Sequence, residues 1–553
     1  MDSDGYPDYR RRDQGIVVER RGRGNSVWNA DNTWVVPYNP FLRKTFACHL
    51  NVEVCSSMAA VKYLYKYVFK GPDHISMQAG SVSDSEIDNY LNARYVSPCE
   101  AVNLNEPALF FLQGSGGCGK TFVMNAIMAH VRGRNQIAIA VASSGIASLM
   151  LEGGRTAHFR FKLPLSMDNA SSCSIKAQSE YAHLFRRTAL IVWDEAPMQS
   201  RYAFEAVDRM LQDFRKDNRP FGGCTVLFSG DWKQTLPVQR KASEAQIISI
   251  CLHKSYLWTP TTQLQLNINV RLLQSTATDQ AAQQAYADWI LSVGTGQIST
   301  DDGRLEVLPH LRMYAENIEP LCDFVYKDFR TSNETRAQYF RRRAILHSRN
   351  ADVDTTNAYV LESLPGQPYH FYAADRALDI GGEQDHAFTP EYLASLKPSG
   401  MPPFKLSLKL EAVVMLIRNL DPSIGLCNGT RLIITGLLRN IIRATIISGS
   451  TNHVGRMVMI PRITHKTIEG MFPFTLKRRQ FPLRLCFAIT INKSQGQSLG
   501  RIGIDVRTPC FSHGQLYVAL SRATDASQVR VLLPQTNTHT DNVVCSAAFP
   551  LAT

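Results

Sequence analysis

Three separated stretches predict an α/β fold with parallel strands. Gly114-Ser115-Gly116-Gly117-Cys118-Gly119-Lys120-Thr121 matches the pattern G-x-x-x-x-G-K-[ST] in full. The apolar run Ala189 to Trp193, closed by Asp194-Glu195, has the make-up of a central parallel strand buried on both faces. Tyr517-Val518-Ala519-Leu520-Ser521-Arg522 adds an arginine at the end of an apolar segment far along the chain. With Ser229 to Gln234, Asn269-Val270-Arg271 and Asn492 to Gly496 placed among them, that order suggests a nucleic-acid-translocating NTPase rather than a generic kinase or GTPase.

The phosphate loop comes first. Leu109 to Leu112 reads as a short buried strand, and Thr121 to Val131 as a helix with Phe122, Ala126 and Ala129 on one face. Gly114, Gly116, Gly117 and Gly119 then fall in the strand-to-helix turn, where backbone without side chains lets N–H groups approach phosphate oxygens. Ser115 and Cys118 complete that cradle. Lys120 would neutralise β- and γ-phosphate charge, and the Thr121 hydroxyl would ligate Mg²⁺, making ATP and Mg²⁺ the expected cofactors.

A second strand-like run, Ile137 to Val141, precedes Ala189 to Trp193. At the carboxyl end of the latter, Asp194 can reach the Mg²⁺ shell while Glu195 polarises the attacking water. Another strand, Thr225 to Phe228, leads to Gln234, an amide that can contact the γ-phosphate or the water without changing protonation. Arg271 and Arg522 are the candidate arginine fingers, delocalised cations able to stabilise charge on the transferred phosphoryl group.

Composition sets the broad class. The chain has 553 residues, enough for three or four domains with separate cores. A formal net charge of +12 makes an anionic partner such as DNA or RNA plausible. Twelve cysteines without a C-x-x-C argue against a zinc ribbon or a secreted disulfide framework. The polar start Met1-Asp2-Ser3-Asp4 and the lack of an 18-residue apolar run lead to the expectation of an intracellular, nuclear protein with no membrane partner.

Thr156-Ala157-His158, the Gly230-to-Val238 stretch, Ala488 to Leu499 and Leu516 to Thr524 resemble superfamily-1 helicases of the petite-integration-frequency type, above all the helicase domain of Helitron transposases. The resemblance spans about residues 104–540. It implies two RecA-like P-loop NTPase domains with ATP between them, an SH3-like β-barrel insertion, and 5′-to-3′ movement on single-stranded DNA. Forked duplex DNA is an implied substrate, a monomer the favoured state, and DNA repair, recombination and telomere maintenance the family-level roles. By position, nucleotide contacts pass to Gln495 and Gly496, and DNA contacts to His158, Lys493 and Ser494. The chain departs from the family at Cys118, at Trp232-Lys233 and at Asn267-Ile268-Asn269-Val270-Arg271, and the usual adenine-holding glutamine segment is not recognisable.

The resemblance also divides the chain. Residues 1–102 look like the C-terminal part of a Helitron replication-initiator nuclease, with an α+β remnant expected. Tyr63 and Tyr67, four apart, occupy the places of that family's paired nucleophilic tyrosines. The nuclease's metal-binding H-x-H pair is absent, so packing or DNA contact is the better role for both tyrosines. Residues 103–265 would form the first RecA-like domain and 266–340 a connecting helical region, with an amphipathic stretch at Ala281 to Val293. The second domain would start at 341–404, carry the β-rich insertion at 405–480, and resume at 481–540 before a tail at 541–553. Lys477-Arg478-Arg479 and Arg341-Arg342-Arg343 read as solvated charge runs or as DNA-backbone tracks. A decayed product that binds DNA or nucleotide without turnover is the alternative, and a tyrosine transesterase a more distant one.

Overall fold

The structure is a computed structural model. It describes residues 17–21, 27–30, 44 and 108–550, apart from 240–241, 271–276, 330–331, 333, 380–386, 399, 422–423, 450–452, 468–470, 524 and 536. The chain divides into two compact units, Met1–Arg94 and Tyr95–Thr553. In the first, β1 (Val18–Arg21) pairs antiparallel with β2 (Val27–Ala30). Tyr63 and Tyr67 lie outside the described residues.

The second unit opens with a six-stranded sheet. Its strands are β3 (Leu109–Gly114), β4 (Ile137–Ala142), β5 (Arg155–Thr156), β6 (Thr188–Asp194), β7 (Thr225–Gly230) and β8 (Thr261–Leu266), in the order β5-β4-β6-β7-β3-β8. Every pairing is parallel, so the carboxyl ends of β3, β6 and β7 share one edge. Strand period sorts β6 residues between two cores: Leu190 and Val192 face one layer, Ile191 and Trp193 the other.

Helix α1 (Lys120–Gly133) covers the first of these faces. It buries Met124, Ile127, Met128 and Val131. Phe122, Ala126 and Ala129 do share a face, but it is the solvent face, and Phe122 is 78% exposed. The sheet takes the bulkier of two apolar stripes at helical spacing, because each fully buried large side chain contributes about 1.5–3 kcal/mol.

Helix α2 (Gly145–Met150) follows β4, α3 (Ala157–Phe161) follows β5, and α4 (Arg201–Arg215) covers the opposite face of the sheet with Phe204, Val207 and Leu211. Helix α5 (Ala277–Thr295) extends the expected amphipathic stretch and leads through β9 (Arg304–Glu306) to β10 (Arg312–Tyr314). A second parallel sheet then forms from β10, β11 (Arg343–His347) and strands near the C-terminus.

Antiparallel strands interrupt this second sheet. They are β12 (Tyr369–Tyr372), β13 (Ala374–Leu378), β14 (Lys405–Leu408), β15 (Val413–Leu416), β16 (Arg431–Leu437), β17 (Ile441–Ile446), β18 (Met457–Pro461), β19 (Ile463–Lys466), β20 (Thr475–Gln480) and β21 (Leu483–Leu485). They form a β12-β14 pair, a three-stranded β13-β20-β19 sheet and a five-stranded β18-β17-β16-β15-β21 sheet. The β-rich stretch therefore recruits strands from residue 369, upstream of the expected 405. At the β15–β16 turn, Gly429 adopts φ +94°, and a Cβ there would lie 2.7 Å from Ile146 of α2. A Cβ on Gly145 would lie 2.3 Å from the Asn428 carbonyl oxygen, so this turn presses directly on α2.

The chain closes with β22 (Ala488–Thr490), β23 (Arg501–Asp505), α6 (Gln515–Leu520), β24 (Val529–Leu533) and β25 (His539–Asp541). The second sheet runs β10-β24-β23-β11-β22, again all parallel. Residues beyond 541 are more than a tail: Cys545 N–H donates to His513 Nδ1 at 2.9 Å, and Phe549 packs against the first sheet's core.

Candidate active site: a phosphate cavity between two sheets

The loop from β3 to α1 cannot be built from ordinary residues. Gly117 (φ +95°) and Gly119 (φ +82°) occupy left-handed backbone, and Gly119 caps α1. The helix N-terminus thereby faces a cavity of about 330 Å³ lined by Gly116, Gly117, Gly119, Lys120 and Thr121. Lys120 Nζ donates to the carbonyls of Gly114 and Ser115, the latter at 3.1 Å. Its charge thus sits at the mouth of the cradle, held by the loop's own oxygens.

Asp194 and Glu195 form the cavity floor, both buried. Glu195 N–H donates to Asp194 Oδ1 at 2.9 Å. Burial raises both carboxyl pKa values; the Asp194 charge pushes Glu195 further up, while Lys120 and Arg522 pull it down. Glu195 has φ 52° and ψ 39°, left-handed backbone that a side-chain-bearing residue rarely adopts, at the position expected to activate water.

The second sheet supplies the facing wall. Gly496, Gln497, Ser498 and Arg522 line the cavity opposite the loop, with Ala147 and Met150 of α2 beside them. Gln234, from the end of β7, also lines it and accepts a hydrogen bond from Gln495 Nε2 at 3.3 Å. The Thr235 hydroxyl donates to Gln495 Oε1 at 3.0 Å. Arg522 is held by carbonyls of its own domain: Nε donates to Val518 O at 2.9 Å and Nη1 to Gln497 O at 3.3 Å.

Behind the cavity lies a network that the sequence reading did not assign. Asp231 is fully buried between Lys233 Nζ (3.2 Å) and the Tyr517 hydroxyl, which donates at 2.6 Å. Burial favours the protonated acid, yet Lys233, Lys120 and Tyr517 together hold Asp231 below the usual carboxylate range. His513 Nε2 lies 2.9 Å from the Trp232 carbonyl; since Nδ1 accepts from Cys545, the ring proton is on Nε2. An acid beside a strand-end glycine, followed by lysine, was the only sequence signal for this cluster.

Several expectations need correction. Gln495 does not line the cavity; it is buried and acts through Gln234 and Thr235, whereas its neighbours Gly496 to Ser498 supply the wall. Gly114 contributes its carbonyl to Lys120, and Cys118 is buried on the far side of the loop, so neither faces the phosphate space. Ser494 is fully buried with its hydroxyl donating to Ile491 O at 2.6 Å, which leaves no group for DNA. Lys493 is exposed beside a small cavity with Asn350, Asp354 and Arg484. His158 borders a separate groove of about 1170 Å³ that also takes in Gln199, Tyr202, Gln239 and Met471. Arg271 lies outside the described residues. In the run Arg341-Arg342-Arg343, Arg343 is structural, paired to Glu334 at 2.8 Å and stacked on Tyr339.

The donor set fits a hard divalent cation. Asp194 is a carboxylate buried at the cavity floor, where an added positive charge would offset its desolvation, and the Thr121 side chain opens into the same space. Among the described residues no helix is long and apolar enough to cross a membrane.

Residues 92–304 match the family model described as PIF1-like helicase, and residues 391–437 the model described as DNA helicase Pif1, 2B domain. The chain is 28% identical over 430 residues to the ATP-dependent DNA helicase PIF1 of Mus musculus, covering 76% of this chain and 57% of that protein. It is 24% identical over 497 residues to the ATP-dependent DNA helicase RRM3 of Saccharomyces cerevisiae, covering 76% and 62%. It spans a little over half the length of the curated relatives it matches. A Bacteroides Pif1 bound to ssDNA shares its fold, with TM-score 0.58, 24% identity, and coverage of 79% of this chain and 92% of that one. A Candida albicans Pif1 helicase does so with TM-score 0.56, 22% identity, and coverage of 83% and 95%.

Proposed function

We propose that this relative of the PIF1-like helicases is an ATP-driven DNA helicase that moves 5′-to-3′ along single-stranded DNA. The observation that carries the reading is the shared wall: loop, acids and Gln234 come from one parallel sheet, and Gly496 to Ser498 and Arg522 from the other. A nucleotide filling that space is gripped by both sheets at once, so binding and release become relative motion of the two.

On this reading Lys120 leaves the loop carbonyls for the β- and γ-phosphates, and the α1 N-terminus cradles them through backbone N–H groups. Mg²⁺, held by Thr121 and Asp194, would neutralise phosphate charge. Glu195 orients and polarises the attacking water. Arg522 offers positive charge opposite, and Gln234 passes the state of the γ-phosphate site to Gln495. The groove of about 1170 Å³ bordered by His158 is the candidate path for a single strand, and it adds Met471 of the antiparallel insertion to a lining otherwise drawn from the first sheet's region.

Origin in a Helitron-type transposon, a truncated initiator region at 1–102, the assigned domain limits, action as a monomer and a nuclear location belong to the same proposal. So do roles in repair, recombination and telomere maintenance, which the resemblance to the petite-integration-frequency helicases suggests. The test is unwinding of forked duplexes carrying one single-stranded tail, with ATP hydrolysis followed in parallel. DNA-stimulated hydrolysis with unwinding from a 5′ tail supports the proposal. Unwinding only from a 3′ tail overturns the polarity, and nucleotide binding without stimulated turnover favours the decayed-product reading.

A further inference from the structure

We propose that the exposed face of the β13-β20-β19 sheet docks the phosphate backbone of duplex DNA, a second nucleic-acid contact apart from the nucleotide cavity and the His158 groove. The inference rests on the helicase reading for its context and on the strand register for its substance.

In that register Arg376 stands opposite Lys477, and Lys477 opposite Lys466, so three cations form a row across the sheet. At about 4.8 Å per strand the row is roughly 10 Å long. Arg479, two residues beyond Lys477, adds a fourth cation on the same face, opposite Ala374 and Thr464. Like charges directly opposite in a sheet repel, so this arrangement is unfavourable without an anion. Protecting the sheet edges would account for Arg376 of β13 and Lys466 of β19, but not for Lys477 of the middle strand between them.

Among the described residues of the three strands, the one acid is already used. Asp375, beside Arg376, turns to the other face and takes Arg478 Nε at 2.9 Å and Nη2 at 2.6 Å. Arg478 is fully buried, and its remaining donors go to the carbonyls of Leu393, Leu396 and Pro402. The run Lys477-Arg478-Arg479 is thus split: the middle arginine clamps the sheet, and its neighbours point outward. Among the described residues, none of Arg376, Lys466, Lys477 or Arg479 has an ion-pair partner.

Phosphate is the anion that suits the row, and duplex DNA its best source. Among the described residues of these three strands, the cations share their face with Ala374, Leu378, Thr464 and Thr475 and with no aromatic ring, whereas surfaces for single strands combine charge with rings on which bases stack. A rigid row of charges meets a denser and more regular phosphate array on a duplex, about one charge per 1.7 Å of axis.

The test uses the full chain with Arg376→Gln, Lys466→Gln and Lys477→Gln combined. Binding of a short blunt duplex and of a single-stranded oligothymidine is followed by anisotropy from about 50 to 200 mM salt. The proposal expects the slope of log affinity against log salt on the duplex to shrink by about 2–3, at roughly 0.9 per lost phosphate contact, with single-strand affinity kept. An unchanged duplex slope overturns it. Equal losses on both DNAs place the row on the single-strand path and overturn it too. Melting temperature should hold or rise as facing charges are removed, and a marked fall would make the cations structural, again overturning the docking role. A parent protein lacking DNA-stimulated ATP hydrolysis would defeat the helicase reading while leaving the duplex slopes interpretable.

Discussion

The Tyr517 hydroxyl of α6 donates to Asp231 Oδ2 at 2.6 Å, joining the two parallel sheets through a carboxylate that water cannot reach. The Ser115 side chain of the phosphate loop lies close enough to weigh on the same hydroxyl. One buried oxygen therefore ties the end of the first sheet to the helix that leads into Arg522. Tyr517→Phe should remove about 1.5–3 kcal/mol of stability, the scale of a hydrogen bond to a charged group. Thermal melts check that value. DNA stimulation of ATP hydrolysis should weaken more than basal hydrolysis, and equal losses would reduce Tyr517 to a packing role.

Lys120 and Glu195 should fail differently. Lys120→Ala removes the cation facing the phosphates, so nucleotide affinity and turnover fall together. Glu195→Gln keeps size and hydrogen bonding but cannot act as a carboxylate toward water. ATP should still bind while hydrolysis drops on the order of a hundred-fold. Equilibrium nucleotide binding beside single-turnover hydrolysis separates the two.

The left-handed backbone at Glu195 makes a second substitution informative. Glu195→Gly should relieve strain of roughly 1–2 kcal/mol and also remove a buried acid, raising the melting temperature while hydrolysis is lost. A variant that is both inactive and less stable would show that the carboxyl holds the site together.

Acid should loosen the contact between the C-terminal segment and the first sheet. Burial lowers the His513 pKa, so the folded state holds the ring neutral while the unfolded chain takes up a proton below about 6.5. Stability from this group is full above that value and is lost as pH falls. Asp231 and Glu244 face the ring and pull its pKa upward, but burial outweighs them. His253 and His465, both pushed down to about 4, act in the same direction, so His513→Asn should flatten only part of the decline between pH 6.5 and 5. Melting temperature against pH for the two proteins gives the comparison.

Legibility in the sequence followed how locally each feature is determined. The phosphate loop could be read because its glycines answer to backbone constraints at Gly117 and Gly119, and the Asp194-Glu195 pair because charge appears only where a doubly buried strand reaches its carboxyl end. Helix α1 was located, but its buried face was not. Met124-Ile127-Met128-Val131 and Phe122-Ala126-Ala129 both have helical spacing, and only the sheet decides between them. Ser494 read as a DNA contact because polar residues within a motif suggest a ligand, whereas its hydroxyl closes a local turn. Asp231, Tyr517 and His513 were invisible as partners, being 286 and 281 residues from the groups they bind. Strands β12 and β13 carry little local signal because they pair with β14 and β20, well downstream of them in the chain.

The six residues of α2 serve two neighbours. Ala147 and Met150 border the nucleotide cavity, while Gly145 and Ile146 carry the Asn428-Gly429 turn of the antiparallel insertion. Mutational tolerance here should therefore be narrower than burial alone implies. A side chain at Gly145 collides with the insertion, and relief by sliding the helix would displace a wall of the cavity. Drift in the insertion's turn is bound to drift in the ATP wall, and homologues that differ at one should carry compensating changes at the other.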